Sequence, residues 1–563
     1  MRSVIGIAVG LVLGSPAEAQ VISRVSVDSN GIEGDGNSGW TTVYQQRPIA
    51  ISADGNVVAF QSDATNLVPG DVNGFTDIFV RDRTTGITER VSVDSSGIAA
   101  DGDSYQPILS TDGRYVVFWS EATNLVAKDT NKVADVFLRD RTNGTTERVS
   151  IHSNGSQGDF GSYRAAISSD GRFVAFESDA DNLIPGDANS STDIFLRDRQ
   201  NGTTRRVSVD SFGHEAKPGG CFDPAISADG SIIAFSARSS SLVPGDTNLV
   251  SDVFVRDLVN LVTERVSVDS SGAQANGNSV HPALSTDGNV VVFESSAVNL
   301  VAGDTNVRAD VFVHDRNTGT TERASVDSSG AESNDDSMDP AVSSDGRFVV
   351  FASSASNLVA VDANGVDDVF VRDRLAGTTA LVSFDCAGNP GDAPSSTPDL
   401  SDDGQEIVFS SQATSLVDGD GNAVGDVFLD DLTVPPVDAT WTNYASGFAG
   451  TLGVPTFASS ADPVFGTSIS LDASNSYGRW SVCLIFVGLQ SASIPTSAGG
   501  TLLVAPLLTF LVGLPPSGAS MLEQVPRDPT LCGISIYLQC LELDPGAQHG
   551  ISFTPGLQLV FGH

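Results

Sequence analysis

The chain has 563 residues, more than one ordinary hydrophobic core accommodates, and its 70 acidic against 30 basic side chains give a formal charge of -40. A surface of that sign repels a phosphate backbone, which argues against nucleic acid as a partner and is the usual way an exported protein stays soluble. Five cysteines fit an oxidising compartment but are too few to staple a fold of this size.

The chain opens on "MRSVIGIAVGLVLGSPAEAQ": one basic residue, Arg2, an apolar run over 4–13, and the small-x-small site Ala17-Glu18-Ala19. That is the pattern of a secretory signal peptide over 1–19, cut after Ala19. The run is too short for a permanent membrane anchor, and the apolar stretch 502–514 is broken by Pro506, so no transmembrane segment is expected.

From residue 20 to 434 one pattern repeats. "DVNGFTDIFVRDR" from Asp71 returns as "DTNKVADVFLRDR" from Asp129, and five more times to "DGNAVGDVFLDDL" from Asp420. The aspartates that open its strand, Asp77, Asp135, Asp193, Asp252, Asp310, Asp368 and Asp426, are spaced by 58, 58, 59, 58, 58 and 58 residues. Each period reads as four strands of the kind "PAIS", "RFVAFES", "DVFVRD" and "TERVSVD", separated by a Ser-x-Asp-Gly turn, a long loop and a short Thr/Asn-Gly turn. Four strands seven times over predict an all-β, seven-bladed β-propeller. The fourth-strand sequence stands first in the mature chain, "ISRVSVD" at 22–28, while the seventh repeat ends without one. The N-terminal strand is therefore expected to complete the last blade and leave no open edge.

The stretch "PAISSDGRFVAFESDA…DIFLRDR…TRRVSVD" resembles the TolB-like, WD-repeat-like propeller repeats of exported bacterial proteins, over about residues 24–434. The resemblance implies fold and export. It implies no activity, because the architecture serves as binding platform, scaffold or enzyme frame.

If the first strand of each repeat is innermost, both tight turns lie on one face and both long loops on the other, which makes the long-loop face the expected binding surface. The first interblade loop is the longest of its kind and adds Trp40 and Tyr44, candidate ligand contacts or a plug for the channel.

The Asp-x-Asn-x-x-x-Asp element supplies the candidate metal ligands: Asp71, Asn73, Asp77; Asp129, Asn131, Asp135; Asp187, Asn189, Asp193; Asp246, Asn248, Asp252; Asp304, Asn306, Asp310; Asp362, Asn364, Asp368; and Asp420, Asn422, Asp426. Two readings stay open. Either each triplet holds a structural calcium ion with backbone carbonyls and water, or its members form Asx-turns and cap the strand that follows. A complete EF-hand is excluded, because Asp82 lies at the far end of a strand, roughly 16 Å beyond Asp77. No cofactor is required. The Arg-Asp steps of the third strands (Arg81-Asp82, Arg139-Asp140) and the Glu-Arg steps of the fourth (Glu89-Arg90, Glu147-Arg148) are expected to form cross-strand ion pairs.

Catalytic signatures are scarce. The six histidines do not recur at one repeat position, no zinc spacing occurs, and no Gly-x-Ser-x-Gly elbow or hydrolase domain follows the ring. After Pro435-Pro436 the repeat gives way to residues poor in charge, with strands such as "RWSVCLIFVGL" and "CGISIYLQCLEL". Residues 435–563 are expected to form a β-sandwich-like domain, and they resemble a C-terminal domain shared by many secreted bacterial proteins. Cys532 and Cys540 are candidates for a local disulfide. The sequence points to a monomeric, secreted, non-catalytic binding or scaffold protein of the cell surface or envelope, with a protein or polysaccharide ligand. The alternative is an extracellular carbohydrate- or peptide-active enzyme on the same ring.

Overall fold

The computed structural model describes residues 22–40, 47–385, 388–417, 420–432, 440–464, 467–496, 501–525 and 535–561. Among them there is no helix; the chain forms two compact units, Ile22–Phe384 with Pro390–Thr433, and Val434–His563.

The first unit is a seven-bladed propeller of seven four-stranded antiparallel sheets. Blade 1 runs through Ile49–Ile51, Val57–Ser62, Asp77–Asp82 and Ile87–Arg90, and each later blade repeats that order about 58 residues on. The expected closure is present. Ile22–Arg24 pairs antiparallel with Asp426–Asp431, Ile22 opposite Asp430 and Arg24 opposite Phe428, so the last blade takes its outer strand from the N-terminal end.

The second strand of each blade is covered on both faces, which is why it reads as an unbroken apolar run rather than an alternation; in Ile232–Ala237 every residue is buried. One phenylalanine from the second strand and one from the third sit directly opposite each other in all seven blades, from Phe60 and Phe79 to Phe409 and Phe428, with ring centroids 5.9–6.1 Å apart. The core is shared between neighbours: Val80 and Val91 of blade 1 pack with Val116, Phe118 and Phe137 of blade 2. At the seam Val58, Phe60 and Phe79 pack with Val408, Val427 and Leu429. A blade therefore buries its faces only when both neighbours are present.

On the tight-turn face backbone hydrogen bonds link the Ser-x-Asp-Gly turns at six of the seven junctions: Ala53 N–H to Thr111 O, Ser169 to Ala228, Ala228 to Thr286, Thr286 to Ser344, Ser344 to Asp402, and Asp402 back to Ala53.

The second unit contains a six-stranded sheet with Ser535–Leu543 and Ser481–Gly488 at its centre, and a three-stranded sheet of Phe457–Ser459, Ser468–Ala473 and Ala519–Gln524. Its core is built from Phe457, Ile469, Leu471, Ile485, Leu514, Leu538, Leu557 and Leu559. Cys540 is a buried free thiol beside the buried thiol of Cys483; its expected partner Cys532, like Cys386, lies outside the described residues.

Candidate functional site

Each Asp-x-Asn-x-x-x-Asp triplet gathers into a buried cluster, and in six of the seven the cation it meets is a side chain of the protein. The guanidinium of Arg90 lies 2.8 Å from Asp71 and 3.0 Å from Asp77. Arg148 serves Asp129 and Asp135, Arg206 serves Asp187 and Asp193, Arg265 serves Asp246 and Asp252, Arg323 serves Asp304 and Asp310, and Arg24 serves Asp420 and Asp426, all within 3.6 Å. The asparagine braces the second carboxylate: Asn73, Asn131, Asn189, Asn248, Asn306, Asn364 and Asn422 each donate through Nδ2 to it at 2.7–3.1 Å. A serine of the fourth-strand segment, such as Ser92 toward Asp77 at 2.5 Å, donates to its other oxygen. Calcium needs six to eight oxygens, and a guanidinium fills the space between the two carboxylates, so these six donor sets do not fit the ion. The arginine is the fourth-strand residue expected to pair with the Arg-Asp step of the third strand; it meets instead the aspartate that opens that strand and the one in the loop before it.

Blade 6 breaks the rule. Leu381 stands where the other blades have arginine, and Asp362 and Asp368 are buried without a guanidinium among the described residues. Burial, with Asp362 alongside, pushes the Asp368 carboxyl up to about 6 despite the hydrogen bonds from Ser383 and Asn364.

The expected pairing of the Arg-Asp and Glu-Arg steps is also corrected. Arg81 Nη1 donates to the carbonyls of Gly86 and Asp28 at 2.7 and 3.0 Å, tying the hairpin turn of blade 1 to the segment leading in from blade 7. Glu89 reaches the next blade and pairs with Arg141 at 2.7 Å, as Glu264 does with Arg316. In blade 7 the position of Arg81 is held by Asp430, fully buried, with neither carboxylate oxygen hydrogen-bonded among the described residues. Desolvation, with Asp431 beside it, pushes this carboxyl up to about 8.

Trp40 is half-buried with its Cβ against Gly425, at the seam between blades 7 and 1; Tyr44 lies outside the described residues.

The site that sequence reasoning missed is the central channel. The first strands line a cavity of about 250 Å³, apolar toward the tight-turn face (Leu109, Ile167, Ile226) and polar toward the long-loop face. One residue per blade forms the polar ring: Arg47, Gln106, Arg164, Asp223, His281, Asp339 and Thr397. Six of these precede proline and sit at φ 51–57°. The register of the first and second strands slips at this position, as between Val280 and Ala283. A non-glycine residue in this region carries a cost on the order of 1 kcal/mol, and the bulge re-aims its side chain. Arg164, which precedes Ala165, is not among the positive-φ residues. The scaffold positions recur blade after blade, but this ring does not: its seven side chains are two cations, two acids, a histidine, an amide and a hydroxyl.

The ring is also electrostatically uneven. Arg164 lies 3.2 Å from Glu177, a buried second-strand carboxylate whose Oε1 also accepts the Asp223 N–H at 2.6 Å; burial raises the Glu177 carboxyl well above the usual range. His281 Nδ1 lies 3.1 Å from Glu294 Oε2, and its Nε2 faces Asp223 at 4.0 Å. Burial pushes Asp339 and Asp399 up to about 6 each. Arg47 reaches across the channel from blade 1 to donate to the carbonyls of Pro282 and Pro340 at 3.3 and 3.4 Å.

No protein-family profile matches the chain, and no curated protein does. Solved structures similar to it include a putative TolB from Agrobacterium tumefaciens (16% identity, 61% of this chain and 93% of that one, TM-score 0.33) and TolB from Acinetobacter baumannii (14%, 63% and 75%, TM-score 0.32). A GH74 xyloglucanase from Xanthomonas campestris is similar over 93% of this chain and 80% of its own at 11% identity, TM-score 0.39. At these scores the similarities carry no argument about activity, and the propeller assignment rests on the seven sheets and their closure.

Proposed function

We propose that the protein is an exported binding propeller that takes a protein or polysaccharide ligand on its long-loop face, centred on the mouth of the channel. The observation that carries this reading is the contrast between seven near-identical blades and an unrepeated polar ring at the long-loop end of the channel. A scaffold needs no such asymmetry; recognition of one asymmetric ligand does. Glycan and peptide panels probed with the protein lacking residues 1–19 test it. Binding that is lost in Arg47→Ala and Asp223→Asn supports the reading, and binding indifferent to both refutes the channel mouth as its centre.

The second reading is an extracellular hydrolase. It draws on the half-buried channel carboxylates Asp339 and Asp399, held near 6, a range suited to general acid-base work. Product formation in the same panels, abolished by Asp339→Asn, would replace the first reading with this one.

A further inference from the structure

We propose that His281, Glu294 and Asp339 form a binding site for a divalent transition-metal ion at the long-loop end of the channel. The three come from different strands: His281 from the first strand of blade 5, Ser279–Leu284; Glu294 from the second, Val290–Ser295; and Asp339 from the first strand of blade 6, Ser337–Val342. One ligand atom from each lies within 4.8 Å of the others. Around a metal at about 2.0–2.2 Å from each ligand, such atoms sit roughly 3.3 Å apart, so small side-chain rotations complete the set.

Two further observations point to a cation. The Asp339 carboxylate receives no hydrogen bond and no ion pair among the described residues, although it faces the channel beside His281 and Glu294. The surroundings also hold more negative than positive groups. Glu177, Asp223, Glu294, Asp339 and Asp399 face two guanidiniums; Arg164 is engaged by Glu177 and, at 3.7 Å, by Asp223, and Arg47 donates to the Pro282 and Pro340 carbonyls, which leaves Glu294 and Asp339 without a guanidinium partner among the described residues. A surplus of half-buried carboxylates is relieved by an added cation.

The donor set selects the class of ion. One imidazole nitrogen with two carboxylates suits zinc, manganese, cobalt or nickel, whereas calcium and magnesium want oxygen alone. With Nδ1 beside Glu294, His281 faces Asp223 with Nε2 at 4.0 Å, too far for a hydrogen bond but close enough for Asp223 to become an outer carboxylate after a small rotation. Three protein ligands leave a coordination position open to the channel, where water or a ligand oxygen completes the shell. The site does not depend on the ligand proposed above, because its occupancy is read with the metal alone.

The test uses the mature full chain, stripped with chelator and titrated calorimetrically with zinc, manganese and calcium chloride, with cobalt followed by its visible spectrum. One equivalent of zinc or cobalt per chain is expected, calcium failing to compete. Affinity should fall at least about 10-fold in His281→Ala, Glu294→Gln and Asp339→Asn, and less in Asp223→Asn. Far-UV circular dichroism of each variant separates loss of the site from loss of the fold, and cobalt spectra distinguish a nitrogen-containing shell from surface binding. No stoichiometric zinc, manganese or cobalt binding to the wild-type chain overturns the proposal. So does binding that persists unchanged in the His281→Ala, Asp339→Asn double variant.

Discussion

The arginine clamp is the most exposed part of the physical argument, and the protein contains its own control. Arg206 lies within 3.0 Å of Asp187, Asp193 and Glu215, with the side chains of Asp187 and Asp193 almost entirely shielded from water. Arg206→Leu copies blade 6 into blade 3 and leaves two buried carboxylates facing each other, a change that costs about 3–5 kcal/mol when one partner of a buried pair is removed. The reciprocal Leu381→Arg supplies blade 6 with the guanidinium its six sisters hold. Asp368 stands at about 6 instead of its unperturbed 3.8, so folding is favoured by protonation, and stability falls as pH rises through the interval between the two values. Two units correspond to roughly 3 kcal/mol, and this is the order of what Leu381→Arg should recover at pH 8. Below pH 4 the carboxyl is protonated in both states and the gain should vanish. Urea unfolding midpoints at pH 4, 6 and 8 read the effect. Two results would refute the reasoning: an Arg206→Leu protein as stable as wild type at pH 8, or a Leu381→Arg change with the same effect at all three pH values.

Other outcomes follow from the same geometry. Asp430, at about 8 and fully buried, penalises folding increasingly between roughly pH 4 and 8, so Asp430→Asn should flatten that slope and raise the urea midpoint at pH 8 while leaving it little changed at pH 4. A double-mutant cycle on Glu89 and Arg141, a pair with one exposed partner, should return only about 0.2–1 kcal/mol of coupling, and a value above about 2 would show the interblade pair to be structural. Phe235→Ala removes one of a stacked, fully buried pair and should cost about 3–5 kcal/mol by denaturant unfolding. Because guanidiniums fill six of the seven aspartate clusters, calcium and chelator should leave the melting midpoint unchanged; a calcium-dependent rise would place the ion at Asp362 and Asp368.

The 58-residue period, the four-strand grammar within it and the misplaced fourth strand at 22–28 were enough to specify a closed ring of seven blades, because periodicity and strand count are local properties of the chain. What a local pattern cannot show is which side chains meet when blades are stacked. The partner of Glu89 is Arg141, some 52 residues away, and the partners of Arg24 include Asp420 and Asp426 of the last blade. In six blades the oxygen-rich triplet does meet a cation, but it is a guanidinium delivered by the fourth strand, which a one-dimensional reading could place only on a strand face. The residue before the first-strand proline differs from blade to blade, and nothing in its own repeat marks it as functional. Only the closing of the ring brings residues such as Asp223, His281 and Asp339, one per blade, to the wall of a single channel, where water is scarce and their charges act on one another.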